Sequence, residues 1–397
     1  MMSIDTLPSW LNFQASSFGK RVAIRHKQLG IWKESTWSDS RDEVYRLVQL
    51  LKRKGFASGD TLFLLTHPRP EALLISVAAQ WLGGVAAPID PQNDVEQISE
   101  LFQLLKPVFL FAEGQLQVDL ALQLSEQPHL IIYADRRGLS NYQHSSLNFY
   151  SEIIQAELDI FDIRHVAESE HNAFAFFRLN NAKHVEVKLL KHREMLMQAR
   201  DLVSLEHLTN TEEALVARTF AASGHVRYLL APWLLAGFRL NFPENINTRD
   251  NDRRELGPTL VAGTKQTYER LESLIKARLP LNGTWLRAAL DWAIYSQSKH
   301  SLLGKLVAHW LYLRPLRDVI GFSRTRVPLL VDEPLSEQSL NFFKALGINI
   351  RNWPDVQDWK AVNVEPHTFS HSSAKKNYVE VNAVNIDIRS TPTGLLV

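Results

Sequence analysis

Short apolar runs alternate with helix-period segments through the first 135 residues, and this rhythm limits the chain to few architectures. TLFLLT (61–66), directly after ASGD, reads as a short strand. A helix from about Pro70 to Leu82 gives way at Gly83-Gly84 to VAAPID, a second short strand ended by Pro91. In VEQISELFQLLK (95–106), Val95, Ile98, Leu101, Phe102 and Leu105 fall at helical spacing, and the strands PVFLFAE and LIIYAD (130–135) follow. Ahead of them, Val44, Leu47, Val48 and Leu51 share one face of a helix with Ser38 as its cap and Gly55 as its stop. Strands separated by helices of this length need crossover connections, so the predicted sheet is mainly parallel and covered on both faces.

The middle third repeats the alternation more loosely, with helical segments near 192–204, 265–278 and 284–297. The tail changes character: NYVEVNAVNIDIRS (377–390) alternates apolar and polar residues with period two, as strands of a small antiparallel sheet do. At 397 residues the chain is long enough for two or more domains. Its 44 basic and 43 acidic side chains nearly cancel, so no basic field points to nucleic acid. The absence of cysteine excludes disulfides, thiolate metal sites and a cysteine nucleophile, and fits a reducing compartment. The start, MMSIDTLPSWLNFQ, lacks the pattern of a signal peptide. Of two apolar stretches, 72–90 contains Gln80, Gly83 and Gly84, and 228–242 is short and interrupted by Pro232 and Arg239, so neither reads as a membrane span. The expectation is a soluble, cytoplasmic protein.

Several segments, in order, resemble the adenylate-forming superfamily, closest to the long-chain fatty acyl-CoA synthetases. These are GIWKESTWSDSRDEVYRLVQLLKRKGFASGDTLFLL (30–65), EALLISVAAQWLGGVAAPIDP (71–91), LLAPWLLAGFRLNFPENINT, ELGPTLVAGTKQTYERLESLIKARL, RPLRDVIGFSRTRVPLL and EPLSEQSLNFFKALGINI (333–350). The likeness covers roughly residues 7 to 352. It implies an α/β fold with two stacked, mainly parallel-sheet subdomains, at 1–165 and 166–352, and a small β-rich remnant at 353–397. In the family a mobile C-terminal domain follows. This chain ends at GLLV, near where the family's G-E-I/L-x-V-R-G segment begins, so the expectation is a truncated member.

The resemblance also implies a nucleotide site, and the residues at its positions are wrong for one. The family holds ATP phosphates with T-S-G-T-T-G-x-P-K-G, followed by a segment that LKHREML (190–196) resembles. Laid beside it, Arg178 and Leu179 replace Thr-Ser, Asn180 the first glycine, and Asn181 and Ala182 the two threonines. Lys183 stands for the second glycine, Val185 for the proline, Glu186 for the lysine and Val187 for the last glycine. Such loops use glycine to bring backbone N–H groups to phosphate, hydroxyls as further donors, and lysine for charge. A carboxylate beside phosphate repels it by about 1 kcal/mol even in strongly screened surroundings. Lys183 and Lys188 are expected on a solvated face.

The family's Y-G-x-T-E segment, which packs adenine and organises magnesium, aligns with Pro354, Asp355, Val356, Gln357 and Asp358. Asp358 alone is a poor magnesium site and reads as an exposed loop acid. The adenine loop G-G-E/A-x-L aligns with Val331, Asp332, Glu333, Pro334 and Leu335. His225 occupies a position that lies beside the acyl pocket in the family, though a packed or half-exposed histidine is the expectation. His367 and His371 have one-turn spacing but no third metal ligand, and neither G-x-S-x-G nor G-x-G-x-x-G occurs.

The sequence reading is therefore a degenerate member of the superfamily with no catalytic residues, no metal site, and ATP and magnesium binding lost. Its expected partners are an acyl chain, an acyl-carrier protein or an active enzyme of the same pathway, but not nucleic acid. Two alternatives stay open: a ligase with a rearranged nucleotide site or new chemistry in the old cleft, and an interaction scaffold without a ligand. Residues 355–397 are expected either to fold back across the former active-site face or to form a homo- or hetero-oligomeric interface.

Overall fold

A computed structural model describes residues 4–157, 165–218, 220–281, 283–285, 287–288, 310, 313–331, 333–356 and 358–362. Its strands form two sheets. The eight-stranded sheet runs β15 (Lys360–Ala361), β9 (Val185–Lys191), β8 (Asn172–Leu179), β4 (Val85–Ile89), β3 (Thr61–Leu65), β5 (Phe109–Ala112), β6 (Leu130–Tyr133), β7 (Leu147–Phe149). The seven-stranded sheet runs β14 (Arg351–Asn352), β13 (Val327–Leu330), β12 (Leu260–Gly263), β10 (Glu213–Leu215), β11 (Arg239–Phe242), β1 (Val22–Gln28), β2 (Ile31–Thr36). Pairing is parallel except for β1 with β2 and for β8 and β15 with β9. The α/β class with two mainly parallel sheets is as the sequence implies.

The helices follow from the same apolar spacing. In α2 (Trp37–Arg53) the stripe Val44, Leu47, Val48 and Leu51 is buried. Thr36, rather than Ser38, caps it: the Thr36 hydroxyl accepts from the Asp39 N–H at 3.1 Å, and the Asp39 carboxylate accepts from the Thr36 N–H at 2.9 Å. A reciprocal box satisfies two donors that a lone Ser38 cannot, and Ser38 falls inside the first turn. Helix α3 (Pro70–Trp81) is buried on all sides from Ala72 to Trp81. Such a helix belongs between layers, and one continuous core joins it to residues of both sheets, Ile24 and Phe242 on one side and Leu64 and Phe174 on the other. Across this core Trp37 and Trp233 stack with ring centroids 4.6 Å apart, and the Trp233 indole N–H donates to the Ala23 carbonyl at 3.2 Å. The turn from α3 into β4 needs its glycines. Gly83 has φ +77°, and a Cβ on Gly84 would lie 2.4 Å from the Phe56 ring.

The sheets do not divide the chain at residue 165. Strands β1 and β2, at 22–36, belong with β10 to β14, whereas β8 and β9, at 172–191, complete the sheet of β3 to β7. Periodicity marks where strands lie but carries no information on distant partners, so the first strands are placed only by tertiary pairing. Of the tail, only β15 and its flanks fall among the described residues. The period-two stretch 377–390, His367 and His371 lie outside them, as does most of the helical segment at 284–297. No helix among the described residues is long and apolar enough to cross a membrane.

One ionisable group ties α2 to α6 (Tyr150–Gln155). The Tyr150 hydroxyl donates to the half-buried Glu43 carboxyl at 2.5 Å, and burial pushes that carboxyl up to about 7. A folded-state value above the unfolded one means that the stabilisation is complete at low pH and is lost as pH rises through about 7. Urea unfolding of Glu43→Gln at pH 5 and pH 8 should show a stability difference smaller than wild type's by roughly 1–2 kcal/mol. An unchanged difference would mean that Glu43 ionises normally in the folded protein.

Candidate functional site

The segment read as a degenerate phosphate loop is a closed hairpin. Strands β8 and β9 pair antiparallel from Asn172–Lys191 down to Leu179–Val185, leaving only residues 180–184 as the turn. Strand β9 separates this turn from α7 (His192–Leu205). The short apolar alternation of β9 is masked in sequence by its lysines. Arg178 lies opposite Glu186, and its Nε donates to the Glu186 carboxylate at 2.8 Å. The same guanidinium lies 4.1 Å above the Trp359 ring.

The turn consumes its own donors. The Asn180 side-chain oxygen accepts from the N–H groups of Ala182 and His184 at 2.9 and 3.0 Å. The Lys183 N–H donates to the Asn180 carbonyl and the Asn180 N–H to the His184 carbonyl, both at 2.9 Å. Lys183, aligned with a glycine, takes a left-handed conformation at φ +59°, and its ammonium pairs with Glu100 of α4 (Val95–Leu105) at 3.1 Å. An anion cradle needs backbone N–H groups that point outward and are unmade. Here the asparagine oxygen stands where an anion's oxygen would be, and Arg178 and Lys183 already face carboxylates.

Next to the hairpin lies a charge cluster. Lys188 is wholly buried, contrary to its expected solvated face; Lys183, by contrast, is exposed. The Lys188 Nζ donates to Asp355 at 2.9 Å and to the Val356 carbonyl, with Asp358 at 3.7 Å. Asp355 also accepts from the Ser223 hydroxyl and lies 3.4 Å from the buried Arg227 guanidinium. The Tyr228 hydroxyl donates to the Pro354 carbonyl at 3.1 Å, and the Trp353 N–H donates to Glu206 at 3.0 Å. Residues 353–356 and 358–362 thus fold back over the hairpin, and β15 pairs with Val187 and Glu186 of β9. Asp358 is half-exposed, and its nearest described charge is Lys188. The signal for Lys188 was present in sequence, because period two puts it on the same face as Leu190. Asp355, Arg227 and Ser223 carried no signal, being distant in sequence and joined only by folding.

His225 is packed, as expected. It closes the first turn of a helical run, α8 (Ser223–His225), a π-helical turn (Val226–Leu230) and α9 (Ala231–Ala236), wedged against the end of β13. A Cβ on neighbouring Gly224 would lie 2.2 Å from the Val331 carbonyl. The His225 Nε2 lies 3.2 Å from the Ala262 carbonyl, and burial lowers its pKa to about 4. His192 is lowered to about 3, again by burial, while its Nδ1 accepts from the Leu7 N–H. Both stay neutral as the unfolded chain protonates, so stability falls as pH drops below about 6.5. Asp332 lies outside the described residues, and no group of three or more metal-binding side chains occurs among them.

The sequence pattern of the family described as AMP-binding enzyme matches residues 11–173. No curated protein matches the chain in sequence. Among solved structures it is similar to an acyl-CoA synthetase of Brucella canis, with 16% identity, TM-score 0.64, and coverage of 93% of this chain and 60% of that one. It is also similar to MatB from Rhodopseudomonas palustris, with 13% identity, TM-score 0.64 and coverage of 90% and 61%. A third is a luciferase-like enzyme from the nonluminescent Zophobas morio mealworm, with 14% identity, TM-score 0.63 and coverage of 90% and 73%. Likenesses at this identity establish the fold alone, and the chain spans about three-fifths of the first two proteins and under three-quarters of the third. Residues 11–173 carry the AMP-binding family's sequence pattern, and the two mainly parallel sheets share the fold of these solved structures.

The buried cluster makes a direct prediction. Lys188→Met would leave Asp355 facing Arg227 without its closest cation, and breaking a buried pair costs about 3–5 kcal/mol. Replacing Lys188 and Asp355 together by Met and Leu should cost less than the sum of the two single changes. A double-mutant cycle in guanidinium would measure this, and a Lys188→Met cost below about 1 kcal/mol would mean that water reaches the ammonium.

Proposed function

We propose that the chain is a non-catalytic relative of the acyl-CoA synthetases, which uses the retained fold to bind an acyl group, an acyl carrier or a partner enzyme. The observation that carries this reading is the hairpin at 178–186: Asn180 takes the turn's N–H groups, and Glu186 and Glu100 take its cations. A nucleotide triphosphate would have to displace these bonds and then meet the Glu186 carboxylate. The Arg178 guanidinium holds that carboxyl below its usual range, so it is ionised at neutral pH.

The second support comes from residues 353–358. Lys188 and Arg227 engage Asp355, and the Pro354 carbonyl accepts from Tyr228, so this segment is committed to the fold. Asp358, the one carboxylate aligned with the magnesium position, faces Lys188. A lone carboxylate beside an ammonium is a poor ligand for a hard dication. Neither ATP nor magnesium is a cofactor in this reading.

Association belongs to the same reading. Strand β15 is the edge of the eight-stranded sheet, and edges pair with further strands. Residues 355–397 either cover the former active-site face or supply an interface with a second copy or an active pathway enzyme, and light scattering of the full chain tests the second. A strict monomer that captures no protein would leave small-molecule binding as its function.

The nucleotide side is tested by calorimetry. Wild type should show no ATP·Mg binding at millimolar concentration and form no acyl-hydroxamate from fatty acid, ATP and hydroxylamine. Glu186→Lys alone should restore neither, because Asn180 still closes the turn. Micromolar ATP affinity, or ATP-dependent hydroxamate, would instead establish a ligase with a rearranged site.

A further inference from the structure

Open α/β sheets bind ligands beyond the carboxyl ends of strands whose connections leave in opposite directions. In the eight-stranded sheet that place, between β3 and β5, holds His67 and Glu113 paired at 2.6 Å. In the seven-stranded sheet it lies between β10 and β12, beside a cavity that Arg249 lines. A different cavity, of about 450 Å³, lies at the opposite end of the seven-stranded sheet. Strands β1, β10 and β11 are parallel neighbours. Arg21, Asn210 and Gly237, which come just ahead of their first residues, line one side of this cavity. Helix α1 (Leu7–Phe18) lines the other.

The helix explains the chemistry of that wall. Leu7, Leu11 and Ala15 of α1 are buried in the core, and Trp10, Gln14 and Phe18 follow at four-residue spacing along the next stripe. Trp10 meets Phe13 edge to face, with ring centroids 5.4 Å apart. Phe13 and Phe18 stay 37% and 38% exposed, so aromatic surface is left uncovered around one cavity. Between them Gln14 is buried. Its Nε2 donates to the Leu234 carbonyl at 2.8 Å, whereas its Oε1 has no hydrogen-bond partner among the described residues. A buried acceptor left unmet is costly, and a donor on a ligand relieves it. Gly237 keeps the approach free: its φ is +71°, and a Cβ there would lie 2.9 Å from that oxygen.

The rim carries charge of one sign. Arg21 is exposed, its guanidinium lies 4.5 Å above the Phe18 ring, and it makes no ion pair among the described residues. No carboxylate is among the described residues that line the cavity. We infer that this cavity binds a flat aromatic monocarboxylate, with its ring against Trp10, Phe13 and Phe18 and its carboxylate on the Arg21 fork. Edge-to-face and stacked contacts favour a ring over a flexible chain, which would also lose rotamer freedom on binding. A guanidinium fork matches the two oxygens of one carboxylate. A phosphate dianion would bring a second charge that no other lining group meets. The volume is in the range of small-molecule sites. The inference goes beyond the proposed function, because neither the hairpin nor residues 353–358 take part.

Calorimetry on the full chain tests the site, with naphthoate as the probe, naphthylmethanol as its uncharged counterpart and octanoate as an aliphatic acid. Wild type should bind naphthoate more tightly than either. Arg21→Gln should weaken naphthoate roughly tenfold and leave naphthylmethanol unchanged, the loss expected for one charge-assisted pair. Its melting temperature should match wild type's, since the guanidinium has no ion pair among the described residues to lose. Phe13→Ala should weaken naphthoate and naphthylmethanol alike, by roughly threefold or more. Arg249→Gln, at the other end of the sheet, should bind as wild type does. No naphthoate binding at millimolar concentration, or octanoate bound as tightly, would overturn the inference. So would binding that survives both Arg21→Gln and Phe13→Ala, or that is lost in Arg249→Gln. None of these results bears on the hairpin's own bonds, so the proposed function stands or falls by the ATP measurements alone.

Discussion

An ammonium group with no exposed surface is tolerable only where its charge is met, and Lys188 is met by Asp355. That pairing explains much of the geometry near the hairpin. It draws residues 353–358 over β9, sets Asp355 against Ser223 and Arg227 at the start of the helical run, and brings β15 into register with Glu186 and Val187. Two cations and the Ser223 hydroxyl converge on one carboxylate from β9, from the run at 223–230 and from the segment after β14. Three parts of the chain that are far apart in sequence are therefore held together at one point.

The same region shows how a turn can bond its own polar groups without disturbing a core. The hairpin keeps its strands, and even a left-handed residue at Lys183, a conformation that costs a non-glycine side chain about 1–2 kcal/mol. What differs is the destination of its polar groups. Asn180 turns the donors inward, and the cross-strand pair Arg178–Glu186 occupies the strand beside them. None of these changes touches Phe174, Phe176 or Leu190, which pack into the main core beneath. Packing and the polar bonding of the turn rest on different atoms.

The two sheets also divide their charges differently. At the switch point of the eight-stranded sheet, carboxylate and cation meet directly, and the crevice is spent on internal pairs. At that of the seven-stranded sheet, Arg270 and Arg253 share Asp250 beside a cavity that Arg249 and Gln266 also line.

The sequence by itself determined the alternation from Val44 to Tyr133, because burial of each strand and helix face depends on local spacing of apolar side chains. It determined as well that glycine and hydroxyl side chains are missing from 178–187 and that Glu186 stands where the resembled family has lysine, since these are identities and not arrangements. Tertiary structure decided everything that needed a distant partner. Strands β1 and β2 join the sheet of β10 to β14 through pairing with β11, across more than two hundred residues of chain. Thr36 takes the cap from Ser38 because Asp39 completes a reciprocal box at that offset. Lys188 turned out to be buried and Lys183 exposed, although both read as surface lysines. A lysine's burial is decided by whether a carboxylate arrives from elsewhere, and Asp355 comes from 167 residues further along the chain.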